Sequence, residues 1–200
     1  MSTEKDLREK VLKASLALIS EGGLDRLSVR EVARKAGVSH QAPYHHFGDR
    51  EAILAALAGD GFAKLKQELE RAAASTGDDA AKAVEAMGCA YVDFALRHPA
   101  YFQVMFRADA VPLENYPEAQ RQEDAAFGRL VQMIDDAFGA RPAEARQKIA
   151  ILCWALVHGL ATLLLEGSLA RKVGVSKARQ RQLAAEVVQT FSKILERGSA

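Results

Sequence analysis

Between Ser28 and Phe47 the chain reads Ser-Val-Arg-Glu-Val-Ala-Arg-Lys-Ala-Gly-Val-Ser-His-Gln-Ala-Pro-Tyr-His-His-Phe. Its later part carries hydrogen-bonding side chains in quick succession: His40, Gln41, Tyr44 and His45. Such groups on one short segment suit a polyanion with readable donor and acceptor edges, as the major groove of DNA has. Metal binding is the competing chemistry for the histidines. Adjacent His45 and His46 would point about 100° apart on a helix, and His40 and His45 are five residues apart, so neither pair has the i,i+4 geometry of helical metal ligands. No metal and no cofactor is expected. Nor is an enzyme: the chain has no Gly-rich phosphate loop, His-Glu-x-x-His, cysteine pairs at metal spacing or strand-turn nucleophile.

The elements that must position these groups follow from the local pattern. Ser28 and Glu31 form a capping box, in which the serine oxygen accepts the N–H of Glu31 and the carboxylate reaches back to the N–H of Ser28. Val29, Val32, Ala33 and Ala36 place an apolar stripe along one helical face. Gly37 takes the left-handed conformation that closes the helix. Ser39 is placed to cap a second short helix two residues later. Two short helices joined by a Gly-containing turn make a helix-turn-helix. Pro43 is then expected near the fourth position of the second helix, where its ring conflicts with the backbone behind it and bends the helix or makes its start irregular.

The run Gly37-Val38-Ser39, followed in register by Tyr44-His45-His46-Phe47-Gly48-Asp49-Arg50-Glu51-Ala52-Ile53-Leu54, resembles the DNA-binding domain of TetR-type transcriptional regulators. The likeness extends from about Val11 to about Phe62. It implies that Tyr44 and Arg50 clamp the DNA backbone. Base edges fall to His40, Gln41 and His45, with Arg30 reaching a guanine from the preceding helix, and Ser28 and Ser39 at the two helix starts complete the DNA-binding set. Pro43 departs from the family pattern, where a leucine is usual, and this touches the assignment of individual base contacts rather than the class.

Around this segment the chain reads as all-α, about nine helices. The first, Glu4 to Glu21, has Leu7, Val11, Ala14, Leu18 and Ile19 along one face and stops at Gly22-Gly23. Asp49 caps a long helix running to Ala74, and Asp78 or Asp79 caps another that ends before His98-Pro99. A short aromatic helix holds Tyr101 to Phe106, and a loop with two prolines spans Asp109 to Pro117. Helices over Glu118–Phe138, Ala143–Glu166 and Ser176–Arg197 complete the chain. The expected organisation is a helix-turn-helix domain over 1–50, a linker helix over 51–74 and a ligand-binding and dimerisation domain over 75–200.

The chain has 200 residues and a net charge of +1. Whole-chain charge therefore says nothing about nucleic acid, but its distribution does. Residues 51–167 carry 11 Lys and Arg against 17 Asp and Glu, an unlikely surface for a polyanion, while the flanking ends are basic. Cys89 and Cys153 lie in separate apolar patterns and read as reduced buried thiols. Nothing at the start suggests export, and a cytoplasmic location is expected. The apolar stretch Ile149–Leu165, broken by His158-Gly159, reads as a buried helix of a soluble protein rather than a membrane span.

The second half resembles the ligand-binding part of the same family, and Trp154-Ala-Leu-Val-His158-Gly159 is similar to a motif of one subgroup. Tyr91, Phe94, Phe102, Met105, Phe106, Phe127, Trp154 and His158 are the candidate ligand-lining residues, with plain core packing as the alternative reading of each. Ile149, Leu152, Leu156, Leu160, Leu163 and Leu164 make the eighth expected helix apolar over much of its circumference. Leu183, Val187, Phe191, Ile194 and Leu195 stripe the ninth. These two helices are expected to pair with their copies in a homodimer. The function that follows is a ligand-responsive repressor, binding a palindromic operator in double-stranded DNA and released by a small apolar or aromatic effector. The alternative is an architectural or activating DNA-binding protein without a small-molecule ligand.

Overall fold

The computed structural model describes residues 2–107 and 109–197, and among them the chain is helical with no strand. The α-helices are α1 (Ser2–Gly22), α2 (Val29–Ala36), α3 (Ala42–Phe47), α4 (Arg50–Ala74), α5 (Ala80–Arg97), α6 (Pro99–Met105), α7 (Pro117–Phe138), α8 (Ala143–Leu165), α9 (Ser168–Val173) and α10 (Gln180–Arg197). Short 3-10 turns occupy Leu24–Arg26, Leu113–Asn115 and Lys177–Arg179. The all-α expectation holds. The helix beyond the expected nine is α9, six residues set between Gly167 and Gly174, both in the left-handed conformation.

The helix ends follow their capping chemistry. Asp49 accepts the N–H of Ala52 at 2.8 Å, and Asp79 accepts that of Lys82 at 3.0 Å. Gly37 closes α2 with φ 67° and ψ 34°.

The chain divides into two compact units. One is formed by residues 1–63 and 98–124, the other by 64–97 and 125–200, so that α4 and α7 each contribute to both. In the first unit Val11, Leu18 and Ile19 of α1 pack in a core with Leu24, Leu27, Val32, Ile53, Leu54 and Leu57, each no more than 4% exposed. The short α6 lies against α1. Phe106 meets Phe62 edge-on at 5.5 Å and Phe102 at 5.0 Å. α4 carries Gly-Asp-Gly at 59–61, where each glycine costs a helix about 1 kcal/mol relative to alanine. The packing explains them. A Cβ on Gly61 would come within 2.6 Å of Met105 Sδ, and one on Gly59 within 3.2 Å of Ala119 Cα.

In the second unit α5 packs on α8 and α10. Gly88 permits the close approach, since a Cβ there would stand 3.0 Å from Val188 and 3.4 Å from Val157. Ile134, Ile149, Ala150 and Cys153 form a buried cluster flanked by Val84, Leu130, Phe138, Phe191 and Leu195. Cys89 and Cys153 are free thiols, and burial pushes Cys153 up to about 11, which keeps it protonated and inert.

Two glycines on helices should therefore respond oppositely to alanine. Gly61→Ala is expected to lower unfolding stability by about 1–2 kcal/mol, because overpacking against buried Met105 outweighs the helix propensity gained. Gly128→Ala, with nothing within 4 Å of the new methyl, is expected to gain about 0.5–1 kcal/mol. Urea unfolding of both variants reads the difference.

Candidate functional site

α2 starts where Ser28, in an extended conformation, accepts the N–H of Glu31 at 3.2 Å. Only this half of the expected capping box is formed as expected. The Glu31 carboxylate takes the Arg34 guanidinium at 2.8 Å, and that pairing holds it below the ordinary carboxylate range. Lys35 pairs with Glu21 of α1 at 2.6 Å. The apolar side of α2, with Val29, Val32 and Ala33 buried, faces the core and leaves Ser28 and Arg30 exposed.

The expected cap at Ser39 is not the start of α3. The N–H of Ala42 donates to the Ser39 carbonyl at 3.1 Å, a turn fills Ser39 to Gln41, and α3 begins at Ala42. Pro43 therefore lies in the first turn, where its missing N–H is no loss and its fixed φ favours initiation. Its ring is buried. The expected conflict with the backbone disappears because the helix starts later, and the proline serves as both initiator and core residue. Phe47 is half-buried and edge-on to His46 at 4.6 Å.

The geometry brings most of the expected DNA-facing set to the surface. Arg30, Ser39, His40, Gln41, Tyr44 and His45 are all exposed, and Tyr44, at 51%, is among the most exposed large hydrophobic side chains of the chain. Arg50 differs. Its Nε donates to the carbonyl of Leu27 and a terminal nitrogen to that of Leu24, both at 2.8 Å and partly buried. The guanidinium closes the 3-10 turn just ahead of α2. Spacing alone did not reveal this, because the partners are carbonyls more than twenty residues away.

The candidate ligand residues fall into two sets. Phe102, Met105 and Phe106 belong to the first unit, the first two buried. Tyr91, Phe94, Phe127, Trp154 and His158 belong to the second, where Phe94 is fully buried. Tyr91 Oη lies 3.0 Å from Nδ1 of His158, within hydrogen-bond distance. Burial pushes the Tyr91 phenol far up and the His158 imidazole down, both favouring the neutral forms. Phe127 stacks at 5.5 Å from Trp154, and the two are 40% and 38% exposed. This is an aromatic face with one partly buried hydrogen bond behind it. Among the described residues no group of His, Cys, Asp and Glu converges as a metal would require.

Comparison with known proteins gives the same picture. The family described as "Bacterial regulatory proteins, tetR family" matches residues 11–57, and "Tetracyclin repressor-like, C-terminal domain" matches 84–196. The "HTH-type transcriptional regulator BetI" of Rhizobium meliloti (strain 1021) is 32% identical over 167 residues, covering 76% of this chain and 75% of that one. The regulator of the same name from Stenotrophomonas maltophilia (strain R551-3) is 35% identical over 72 residues, 36% of this chain and 37% of its own length. A solved "protein with unknown function from Rhodococcus sp. RHA1" superimposes with a TM-score of 0.79 at 34% identity, over 96% of this chain and 94% of that one.

Two measurements test this geometry. Arg50→Ala should cost about 1–3 kcal/mol of stability by removing two partly buried hydrogen bonds, the Leu24 carbonyl keeping only the Leu27 N–H, and should leave the salt dependence of DNA binding unchanged. A salt slope lower by about one would instead make Arg50 a phosphate contact. For His158 the unfolded imidazole binds protons below its ordinary 6.5 and the folded one only at lower pH, so its contribution to stability is present above 6.5 and is lost as pH falls from there through the lower folded value. Replacing it by glutamine should flatten the fall in urea midpoint between pH 7 and pH 5.

Proposed function

The chain belongs to the TetR family of bacterial transcriptional regulators, and from that premise we propose that it is a ligand-responsive repressor acting on a palindromic operator as a homodimer. DNA binding and regulation come with the family, and an enzymatic role does not. The observation that carries the reading is the exposed set Arg30, His40, Gln41, Tyr44 and His45 on a capped helix-turn-helix whose apolar side is wholly spent on the core. On it, Tyr44 meets the phosphate backbone while His40, Gln41 and His45 read base edges, and Arg30 reaches a guanine from α2. Arg50 supports this surface from behind. The protein acts in the cytoplasm, where the DNA is.

A two-fold dimer is supported by α8. Only 39% of its most apolar stretch is buried, although it is long and apolar enough by composition to cross a membrane. Ile149, Leu160 and Leu164 face the protomer's own core, whereas Ile151, Leu152, Leu163 and Leu165 are exposed. On α10 Ile194 is 62% exposed, and Leu183, Val187 and Phe191 are half-buried. α8 and α10 pack together in the protomer, so a second copy of the pair would bury both faces in a four-helix bundle. Two-fold symmetry then sets two copies of α3 in successive major grooves and makes the operator a palindrome.

The effector enters at the aromatic face of the second unit, around Phe127, Trp154, Tyr91 and His158, and is itself apolar or aromatic. It releases DNA by binding better to the conformation that does not fit the operator, and α4, which contributes to both units, is the element whose position changes.

Selection from random duplexes with the purified protein should return a palindrome. Gln41→Ala should relax preference at one position of each half-site, costing about 1–3 kcal/mol for the preferred base. The same consensus from both proteins would remove Gln41 from readout. Leu152→Glu, at an exposed site, should give a folded monomer by light scattering with operator affinity lost. A Leu152→Glu dimer with full affinity would place the interface elsewhere.

A further inference from the structure

The segment 98–124 lies far from the helix-turn-helix in sequence, yet it belongs to the same compact unit. Three successive residues of α4 each meet a different helix of this unit, two of them in that segment. Gly59 receives Ala119 of α7, Asp60 pairs with Arg8 of α1 at 2.9 Å, and Gly61 receives Met105 of α6. Two turns earlier, the first turn of α4 is held from both sides. Arg50 donates to the carbonyls of Leu24 and Leu27, and the neighbouring Glu51 accepts the hydroxyl of Tyr116 at 2.9 Å.

Leu27 directly precedes Ser28, the cap of α2. A shift in the first turn of α4 is therefore passed by Arg50 to the turn that starts the helix-turn-helix. Asp49 caps α4 and also follows Gly48, which closes α3. The same few residues thus fix the entry of α2 and the exit of α3. Tyr116 is the one side chain from outside residues 1–63 that hydrogen-bonds to this turn among the bonds described.

We propose that Tyr116, through its hydrogen bond to Glu51, is a positioning residue for DNA recognition, holding the first turn of α4 so that α2 and α3 are presented together. Its phenol is pushed up to about 12, by desolvation first and then by the Glu51 carboxylate, so it keeps its proton and stays a donor throughout the physiological range. A charge-assisted hydrogen bond of this kind has a defined direction and length, which apolar contacts against α4 lack. Tyr116 touches no DNA in this scheme. It acts on the specific complex, where α3 must sit in the groove, and leaves the sequence-independent attraction of the phosphates unchanged.

The inference rests on the DNA-binding reading above, and the experiment separates the two. The full-length protein, Tyr116→Phe, Glu51→Ala, Glu51→Gln and the Tyr116→Phe/Glu51→Ala double variant are titrated against the selected operator and against a scrambled duplex. Failure of the unmodified protein to prefer the operator would defeat the DNA-binding reading itself. With that preference established, Tyr116→Phe is expected to lower operator affinity about three- to tenfold and to leave scrambled-duplex affinity unchanged. Glu51→Gln removes the charge but keeps an acceptor and should stay close to the unmodified protein. The double variant should lose no more than the worse single one, because both break the same bond. Amides of α2 and α3 should exchange hydrogen faster in Tyr116→Phe. An unaltered operator-to-scrambled ratio in Tyr116→Phe, equal losses on both duplexes, or additive losses in the double variant would each overturn the proposal.

Discussion

A six-residue helix has no stability of its own, and α3 is such a helix. Nucleation fixes several dihedrals for one hydrogen bond, so short helices persist only when neighbours hold them. Here the neighbours do so at both ends. The buried ring of Pro43 anchors the first turn, and Gly48, at φ 91°, lets the chain turn directly into α4. Only the apolar side of α3 is used for this. Its other side is left free of structural duty, which is the condition for carrying Tyr44 and His45 exposed. The exposed polar surface is therefore a by-product of economy in the core: α2 and α3 give up to packing only what packing needs.

The same constraint explains why Arg50 faces inward. A helix-turn-helix held only by apolar contacts could rock about them, because such contacts have little directional preference. Two carbonyls at 2.8 Å from one planar guanidinium define an orientation. Placing a charged group against backbone dipoles is costly unless its bonds are made, and here the two that face inward are made. The result ties the turn at Leu24–Arg26 to the base of α4, which is where the two ends of the helix-turn-helix return.

Much of this was legible in the sequence because it is local. Ser28, Gly37, Asp49 and Asp79 act within four residues of themselves, and the stripe Val11, Ala14, Leu18, Ile19 needs only helical period to be read. What was not legible is long-range or conditional. The start of α3 depended on whether Ser39 or Pro43 wins the first turn, and the burial of the proline ring decided it. Arg50 with Leu24, and Tyr116 with Glu51, join residues 26 and 65 positions apart, and no local pattern announces such a bond. The short α9 rests on two glycines that read equally well as a plain loop.

The apolar circumference of α8 is only partly covered by its own protomer. Hydrophobicity all round a helix demands cover all round, yet it does not say which residues the protomer covers itself. Leu160 and Leu152 are indistinguishable in sequence, both leucines in an unbroken apolar run. One is 8% exposed and the other 53%. The difference arises because α5 and α10 pack on one side of α8 and crowd it there, with Gly88 giving the closest approach. Gly159, on the same helix, would meet nothing within 4 Å if it carried a Cβ. A glycine in a helix interior costs about 1 kcal/mol against alanine, and within the protomer no contact repays it.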